Sequence, residues 1–225
     1  AISIRAAVIL ALANVQAYQS QANQWLRATL PDAQDFKDQW RLTQSTTLLP
    51  PDDVVDQWLA TLLGKTTPWM LRNKALESID KRNAKDHLRH LRHALQDSYP
   101  VVKQTAIHSL LKRKSKASWP VIERRLRDPA EWPLVKHAAL SFLSELCVHE
   151  GSAAVVDILL KPVTPMTRSS QRLREHAWAV AMALGGKARK DALKIASSRH
   201  WPTLKRESLK RAAQTPPRCQ IPGNL

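Results

Sequence analysis

Three histidines stand at a spacing that could bind a metal ion. His87, His90 and His93 form a His-x-x-His-x-x-His pattern in a segment with helical periodicity, and side chains three residues apart on a helix are neighbours. Two of them could share a zinc ion, but the third turns away around the helix, and no carboxylate or cysteine completes a four-ligand set. Arg89 and Arg92 would also repel a cation. We therefore predict an exposed polar helix face here, and no metal or other cofactor.

The cysteines and the motif content favour binding over catalysis. Cys147 and Cys219 make neither a metal-ligand pair nor a disulfide framework. Cys147 lies in an apolar helical stretch and is interpreted as a small core residue, which is compatible with a reducing, cytoplasmic environment. The sequence contains no Gly-rich phosphate loop, nucleophile elbow or zinc-protease motif. The motif content therefore favours a protein that is not an enzyme and leaves an enzymatic alternative open.

The chain is strongly basic, and its charge is unevenly distributed. Its 225 residues include 35 Lys and Arg against 19 Asp and Glu, which gives a net charge of +16. Residues 1–60 have a net charge of −2, so the remaining residues carry +18. This balance implies an acidic partner, which could be nucleic acid, an anionic membrane surface or an acidic protein. The longest apolar run, 6–15, is about half as long as a membrane-spanning helix.

Composition and internal repetition predict an all-helical protein. Only 5 Gly, 2 Phe and 2 Tyr are present, which is too few for the turns and strands of a β-fold of this length. A pattern of an apolar residue, then Lys or Arg, then a mostly small or apolar residue three positions later recurs at intervals of 31 to 38 residues. Each interval contains two apolar helical segments, and a proline at most junctions marks the start of the second helix. Four of these prolines have an aromatic neighbour, interpreted as a plug over the helix start.

The sequence from Asp97 to Ala106, with Pro100 and Lys103 inside it, resembles the HEAT-repeat signature. The segment from Asp128 to Ala139 is similar, with a two-residue insertion. This resemblance implies an α-solenoid of about seven HEAT-like helix pairs, the first one partial, wound into a curved right-handed superhelix. We expect residues 1–213 to form one repeat domain and 214–225 a Pro-containing C-terminal tail.

Two sets of polar residues follow from the repeat register. In HEAT families the recurring basic residue usually pairs with the signature Asp and joins repeats, which implies a structural ladder of Arg72, Asp97, Lys103, Asp128, Lys136, Arg174 and Lys205. Positions one, two and five after the ladder residue should face solvent. This predicts a concave face, mixed in sign and rich in histidine, whose candidate binding residues are Lys74, His108, His137, His176, Arg206 and Lys210.

Most of the excess positive charge follows the second helices. Equivalent turns of a solenoid line one edge, so these groups could form a basic ridge that binds a partner. Its members are Lys81, Arg82, Lys112, Arg113, Lys114, Lys116, Lys187, Arg189 and Lys190. The first helical segment is almost wholly apolar and lacks the polar cap that a solenoid end needs. We expect this end to be covered, by a preceding part of a longer chain or by a partner.

The leading interpretation is a HEAT-repeat scaffold whose basic ridge docks an acidic protein surface. The alternative is a nucleic-acid-binding protein, since the alkylpurine DNA glycosylases are built from HEAT-like repeats and use tryptophans and one acidic residue on the concave face. This chain has 8 Trp, and residues 202–207 look similar to the last repeats of those enzymes. The acidic residues nearest to Trp119 and Trp132 in the sequence are Glu123, Asp128 and Glu131.

Overall fold

The computed structural model describes residues 2–84, 86–160, 167–198 and 214–219, and this part of the chain contains twelve α-helices and no strand. The predicted all-α class is therefore confirmed. The helices are α1 (Ile2–Ala13), α2 (Gln19–Thr29), α3 (Phe36–Thr46), α4 (Asp53–Thr61), α5 (Trp69–Lys81), α6 (His87–Ala94), α7 (Pro100–Lys112), α8 (Trp119–Arg127), α9 (Pro133–Leu146), α10 (Ser152–Leu160), α11 (Arg168–Leu184) and α12 (Gly186–Ser198).

The helices alternate as the repeat pattern predicts. The recurring basic residues from Arg5 to Arg174 all lie on odd-numbered helices, and the apolar segments between them form the even-numbered helices. The described residues thus contain five complete helix pairs, from α2–α3 to α10–α11, together with α1 and α12. The last ladder residue, Lys205, lies outside the described residues.

The chain divides into two compact units, Ala1–Leu110 and Leu111–Leu225. In the first unit, α1 packs on α3 and α3 on α5, while α2 packs on α4 in the other layer. The two layers meet where α1 contacts α2 and α4 contacts α5. Leu26, Leu42, Leu59 and Leu71, one from each of four successive helices, are fully buried there. Each helix pair covers the apolar face of the next, which a single pair could not do alone.

The second unit repeats the two-layer arrangement. One layer is formed by α8, α10 and α12 and the other by α9 and α11, with each helix in contact with the next in its layer. Trp119 of α8 stacks on Phe142 of α9 with ring centroids 6.4 Å apart, and both side chains are buried. This unit therefore has its own apolar core.

Prolines stand at helix starts as predicted, but the aromatic residues next to these prolines have different environments. Pro100 and Pro133 are the first residues of α7 and α9, where the missing N–H costs no hydrogen bond. Trp69 stacks on Tyr99, with centroids 5.5 Å apart. Trp132 is 60% exposed, so its interpretation as a plug is wrong: it precedes the helix in extended backbone and points to solvent.

The turns that lead from one helix pair to the next share a backbone feature. Four of them contain a residue with positive φ: Asn83 at 55°, Lys114 at 52°, Cys147 at 52° and Gly185 at 72°. Glycine is the residue best suited to this conformation, and only one of the four turns has it there. The low glycine content is thus compatible with sharp turns, at an energetic cost.

Candidate basic docking surface

Three exposed lysines surround the turn between α7 and α8. Lys112 ends α7, Lys114 lies in the turn, and Lys116 begins the short 3-10 segment that leads into α8. None of the ion pairs in the described part of the chain involves these three lysines. Arg113 differs, because it is half-buried and interacts with other residues. The exposed charge of this cluster is therefore carried by the lysines.

Lys114 occupies a backbone conformation that disfavours a lysine. Its φ of 52° is left-handed, which costs a residue with a Cβ about 1–2 kcal/mol relative to right-handed backbone. Its N–H donates to the carbonyl of Leu111 at 2.8 Å, a backbone contact that any residue could make. The lysine side chain therefore contributes nothing that this turn requires.

A second basic group lies at the start of α12. Lys187 and Lys190 are exposed, and Arg189 is half-buried and engaged with other residues. The first turn of α12 contains no acidic residue. Cations at a helix N-terminus oppose the helix dipole, by about 0.3–1 kcal/mol each at exposed positions. Lys187, in the first turn of α12, therefore lowers local stability where it stands.

Both groups belong to one edge of the second unit. They precede α8 and α12, and α10 packs between these two helices in the same layer. Because neighbouring helix axes lie about 10 Å apart, the two groups are about 20 Å from each other along the layer. Between them is the turn from α9 to α10, which contains Cys147 and His149.

The intervening turn is covered by the segment 214–219. Cys219 forms a disulfide with Cys147, and the Cys219 N–H donates to the carbonyl of Ala183 at 2.8 Å. The expectation that the two cysteines form no disulfide is therefore wrong. Cys147 is also not a small core residue, because it is the half-buried left-handed residue that ends α9. Arg218, next to the disulfide, is exposed. We call Lys112, Lys114, Lys116, Lys187, Lys190 and Arg218 together the basic edge.

The ridge members in the first unit have different environments. Lys81, the last residue of α5, is exposed. Arg82 is only 3% exposed. Its Nε donates to Asp56 Oδ1 at 2.8 Å, and its Nη1 donates to the carbonyls of Thr46 and Leu49 at 3.0 Å. Placing Arg82 on the exposed ridge is therefore wrong, because this side chain joins α5 to α4 and to the end of α3.

The ladder residues make contacts of several kinds. Arg72 forms a bidentate ion pair with Asp97, with both N–O distances 2.7 Å. Lys103 is 8% exposed, and its charge is one of the influences that lower the pKa of Asp97. Lys136 donates to the carbonyl of Pro129 at 3.4 Å, and Arg174 to that of Leu159 at 3.2 Å. Asp128 lies 3.7 Å from Arg125.

The predicted concave face brings two histidines together. The Nδ1 atoms of His137 on α9 and His176 on α11 are 2.8 Å apart, and the rings are stacked with centroids 5.1 Å apart. Burial lowers the pKa of both; the charge of Arg172 lowers that of His137 further, and His137 lowers that of His176. Both rings therefore favour the neutral form, in which one nitrogen can donate to the other.

The other concave-face candidates are not part of this contact. Lys74 pairs with Glu77 on its own helix at 3.3 Å, and His108 is exposed on α7. Arg206 and Lys210 lie outside the described residues.

His90 and His93 line a small cavity in the first unit. The cavity has a volume of about 130 Å³, and Lys65 and the Arg72–Asp97 pair contribute to its wall. Burial lowers the pKa of His90. Within the described residues, no group of three or more His, Cys, Asp or Glu side chains could hold a metal ion.

The acidic residues near Trp119 and Trp132 are all paired with arginines. Glu123 accepts from Arg127 Nε at 2.8 Å, while Arg125 lies 3.7 Å from both Asp128 and Glu131. Glu131 is 5% exposed. Each of these carboxylates thus has a local structural partner.

Comparison with known proteins identifies the repeats. Residues 55–144 match the family of HEAT repeats, whereas no curated protein matches this sequence significantly. The match shows HEAT repeats in residues 55–144, and the stacked helix pairs within each unit are typical of the α-solenoid fold class. HEAT repeats generally serve as protein-interaction scaffolds. No helix in the described part of the chain is long and apolar enough to cross a membrane.

Proposed function

We propose that this chain is a protein-interaction scaffold that docks an acidic protein surface on its basic edge. The observation that carries the proposal is the placement of lysines where the fold disfavours them. Lys114 occupies left-handed backbone, and Lys187 opposes the dipole of α12. Residues that break a local rule without a structural gain are typical of functional sites.

The charges of the basic edge suit recognition by long-range attraction. The five lysines and Arg218 are not members of any ion pair in the described residues, so their field is not neutralised locally. Charges at the rim of an interface raise the association rate and select the partner by its sign. A partner with a row of Asp or Glu about 20 Å long would match the two lysine groups.

Nucleic acid is the second candidate, because the same lysines could neutralise phosphates. Its support is the charge of +18 on residues 61–225. The two candidates differ in their salt dependence. DNA binding weakens log-linearly with salt as counterions are released, by about one unit of slope for each phosphate contact.

Fluorescence anisotropy with two labelled probes, poly-L-glutamate and a random-sequence duplex DNA, tests the proposal. The triple variant Lys112→Gln, Lys114→Gln, Lys116→Gln spares the half-buried Arg113. If each lysine contributes about 0.5 kcal/mol, poly-L-glutamate should bind the variant about tenfold more weakly. The matched control Lys37→Gln, Lys65→Gln, Lys194→Gln removes the same charge from exposed positions outside the basic edge and should lose less than about twofold.

The outcomes separate the candidates. Equal losses in the two triple variants would mean that net charge alone attracts the probe, and the basic edge would not be a site. Tighter binding of the duplex than of poly-L-glutamate at about 0.15 M salt, with a salt slope reduced in the first variant, would establish the nucleic-acid function instead.

A further inference from the structure

Helix α1 is apolar on two opposite sides. Ala6, Ile9 and Ala13 are buried on one side, where α1 packs on α2 and α3. The helical period places a second apolar stripe opposite to this side. Its members, all exposed, are Ile4, Ala7, Val8, Ala11 and, just past the helix end, Val15. Ile4 is 68% exposed, more than any other large apolar residue in the described part of the chain.

A helix of this composition belongs in the interior of a protein assembly. Surface helices have a charged or polar outer face, whereas helices that are apolar all round are buried. Arg5 is the only charged residue of α1, while α3, the next helix in the same layer, contains Lys37, Asp38 and Arg41. The outer stripe of α1 therefore requires a cover.

We propose that α1 of a second copy of this chain covers the stripe, so that the protein forms a two-fold symmetric dimer. The stripe is complementary to itself when two α1 helices pack antiparallel. In an antiparallel pair, the numbers of two facing residues always have the same sum. If Val8 of one copy lies opposite Ala7 of the other, Ile4 therefore lies opposite Ala11. Val8 and Ile4 each thus meet an alanine, which allows close packing in an isologous contact.

Charge favours a second copy at this position. Two chains of net charge +16 repel each other over most of their surface. On α1, however, the guanidinium of Arg5 is paired with Asp32 at 3.1 Å, and residues 1–60 together have a net charge of −2. Among the residues of α1 itself, Ile2–Ala13, the one cationic side chain is therefore paired and does not repel a second copy. This surface is separate in sequence from the basic edge, so the dimer does not depend on the proposed docking function.

Light scattering coupled to size exclusion tests the dimer. In about 0.5 M NaCl, where charge contacts are screened, and after nuclease treatment, the protein should elute at twice the chain mass of 25.4 kDa. Val8→Asp and Ile4→Asp should each convert the dimer to a monomer of unchanged helical circular dichroism. The matched control is Leu134→Asp on α9, because Leu134 is 39% exposed and Val8 is 37% exposed; it should remain dimeric.

A crosslinking experiment decides the case even if an aspartate variant fails to fold. Ala7→Cys places a thiol beside the two-fold axis, so mild oxidation should give a covalent dimer. Ser20→Cys, exposed on α2, should not. A wild-type monomer at every concentration, a dimer that survives both aspartate substitutions, or equal crosslinking of the two cysteine variants would each overturn the proposal.

Discussion

Arg72 and Asp97 fix the start of α5 to the turn that precedes α7. The guanidinium donates from Nε and Nη2 to the two carboxylate oxygens, and it also donates to the carbonyl of Thr67 and lies over the ring of Tyr99. Burial by itself raises the pKa of Asp97. The hydrogen bonds from Arg72 and the Tyr99 N–H, with the charges of Arg72 and Lys103, outweigh burial and hold that pKa below its ordinary value.

Removing one partner of this pair should destabilise the protein. In Arg72→Met the Asp97 carboxylate would remain largely buried without its cation, which typically costs about 3–5 kcal/mol. Urea unfolding followed by circular dichroism should show a correspondingly lower midpoint. The control Lys74→Met breaks the more exposed Lys74–Glu77 pair and should cost less than about 1 kcal/mol. Similar losses in both variants would show that the Arg72–Asp97 pair has no special structural role.

The His137–His176 contact predicts an acid-sensitive second unit. Both pKa values lie below 6.5 in the folded protein. An unfolded chain therefore binds more protons as the pH falls below 6.5, and the free energy of unfolding decreases. The stabilisation is fully present above pH 6.5 and is lost as the pH falls through the folded-state values. Melting temperatures measured from pH 8 to pH 5 should show this decline.

The double variant His137→Asn, His176→Asn should have a flatter pH profile than the wild type, because neither replacement titrates in this range. The single variant His108→Gln, at an exposed position, serves as the control and should keep the wild-type profile. An unchanged decline in the double variant would assign the acid sensitivity to other groups, such as His90.

The Cys147–Cys219 disulfide should stabilise the second unit. It closes a loop with a sequence separation of 72 residues. A crosslink of this length is expected to contribute about 4 kcal/mol by restricting the unfolded chain. Cys219→Ser should therefore unfold at a lower temperature than the oxidised wild type and should match the wild type in dithiothreitol. If dithiothreitol lowers the melting temperature of Cys219→Ser as much as that of the wild type, its effect does not act through this disulfide.

Gly151 should not tolerate a side chain. A Cβ at this position would collide with Leu143 and lie 2.8 Å from Trp119 Cζ2. Overpacking of this kind costs about 1–3 kcal/mol, so Gly151→Ala should lower the unfolding midpoint. The double variant Gly151→Ala, Leu143→Ala should lose less stability than the two single variants lose together, because the truncated Leu143 leaves room for the methyl group. Strict additivity would show that the collision is not the cause.

The helix pairs could be predicted from the sequence because their signals are local and periodic. The alternation of apolar segments, the basic residue every 31 to 38 positions and the helix-starting prolines predict the order of the described helices along the chain. The histidines of the concave face follow from the same register. His137 and His176 occupy outward positions of successive second helices. The sequence predicts these positions, but only the structure shows that the two rings are in contact.

Contacts between distant residues could not be predicted in the same way. Arg82 sits in a run of basic residues that is typical of an exposed turn, yet it is buried against Asp56, 26 residues earlier. One signal was available: Asp56 interrupts the apolar stripe of Val55 and Leu59 on α4, and a carboxylate there requires a cation. Cys219 offered no local signal, since its partner lies 72 residues earlier in the chain.

The disulfide also determines how the chain would respond to mechanical force. Because Cys147 and Cys219 are covalently joined, tension applied at the two ends of the chain passes through the sulfur atoms and bypasses α10, α11 and α12. These helices carry no load while the bond is intact. Reduction would expose these helices to the tension, and their unfolding would add a hidden length of about 240 Å, at about 3.4 Å per extended residue.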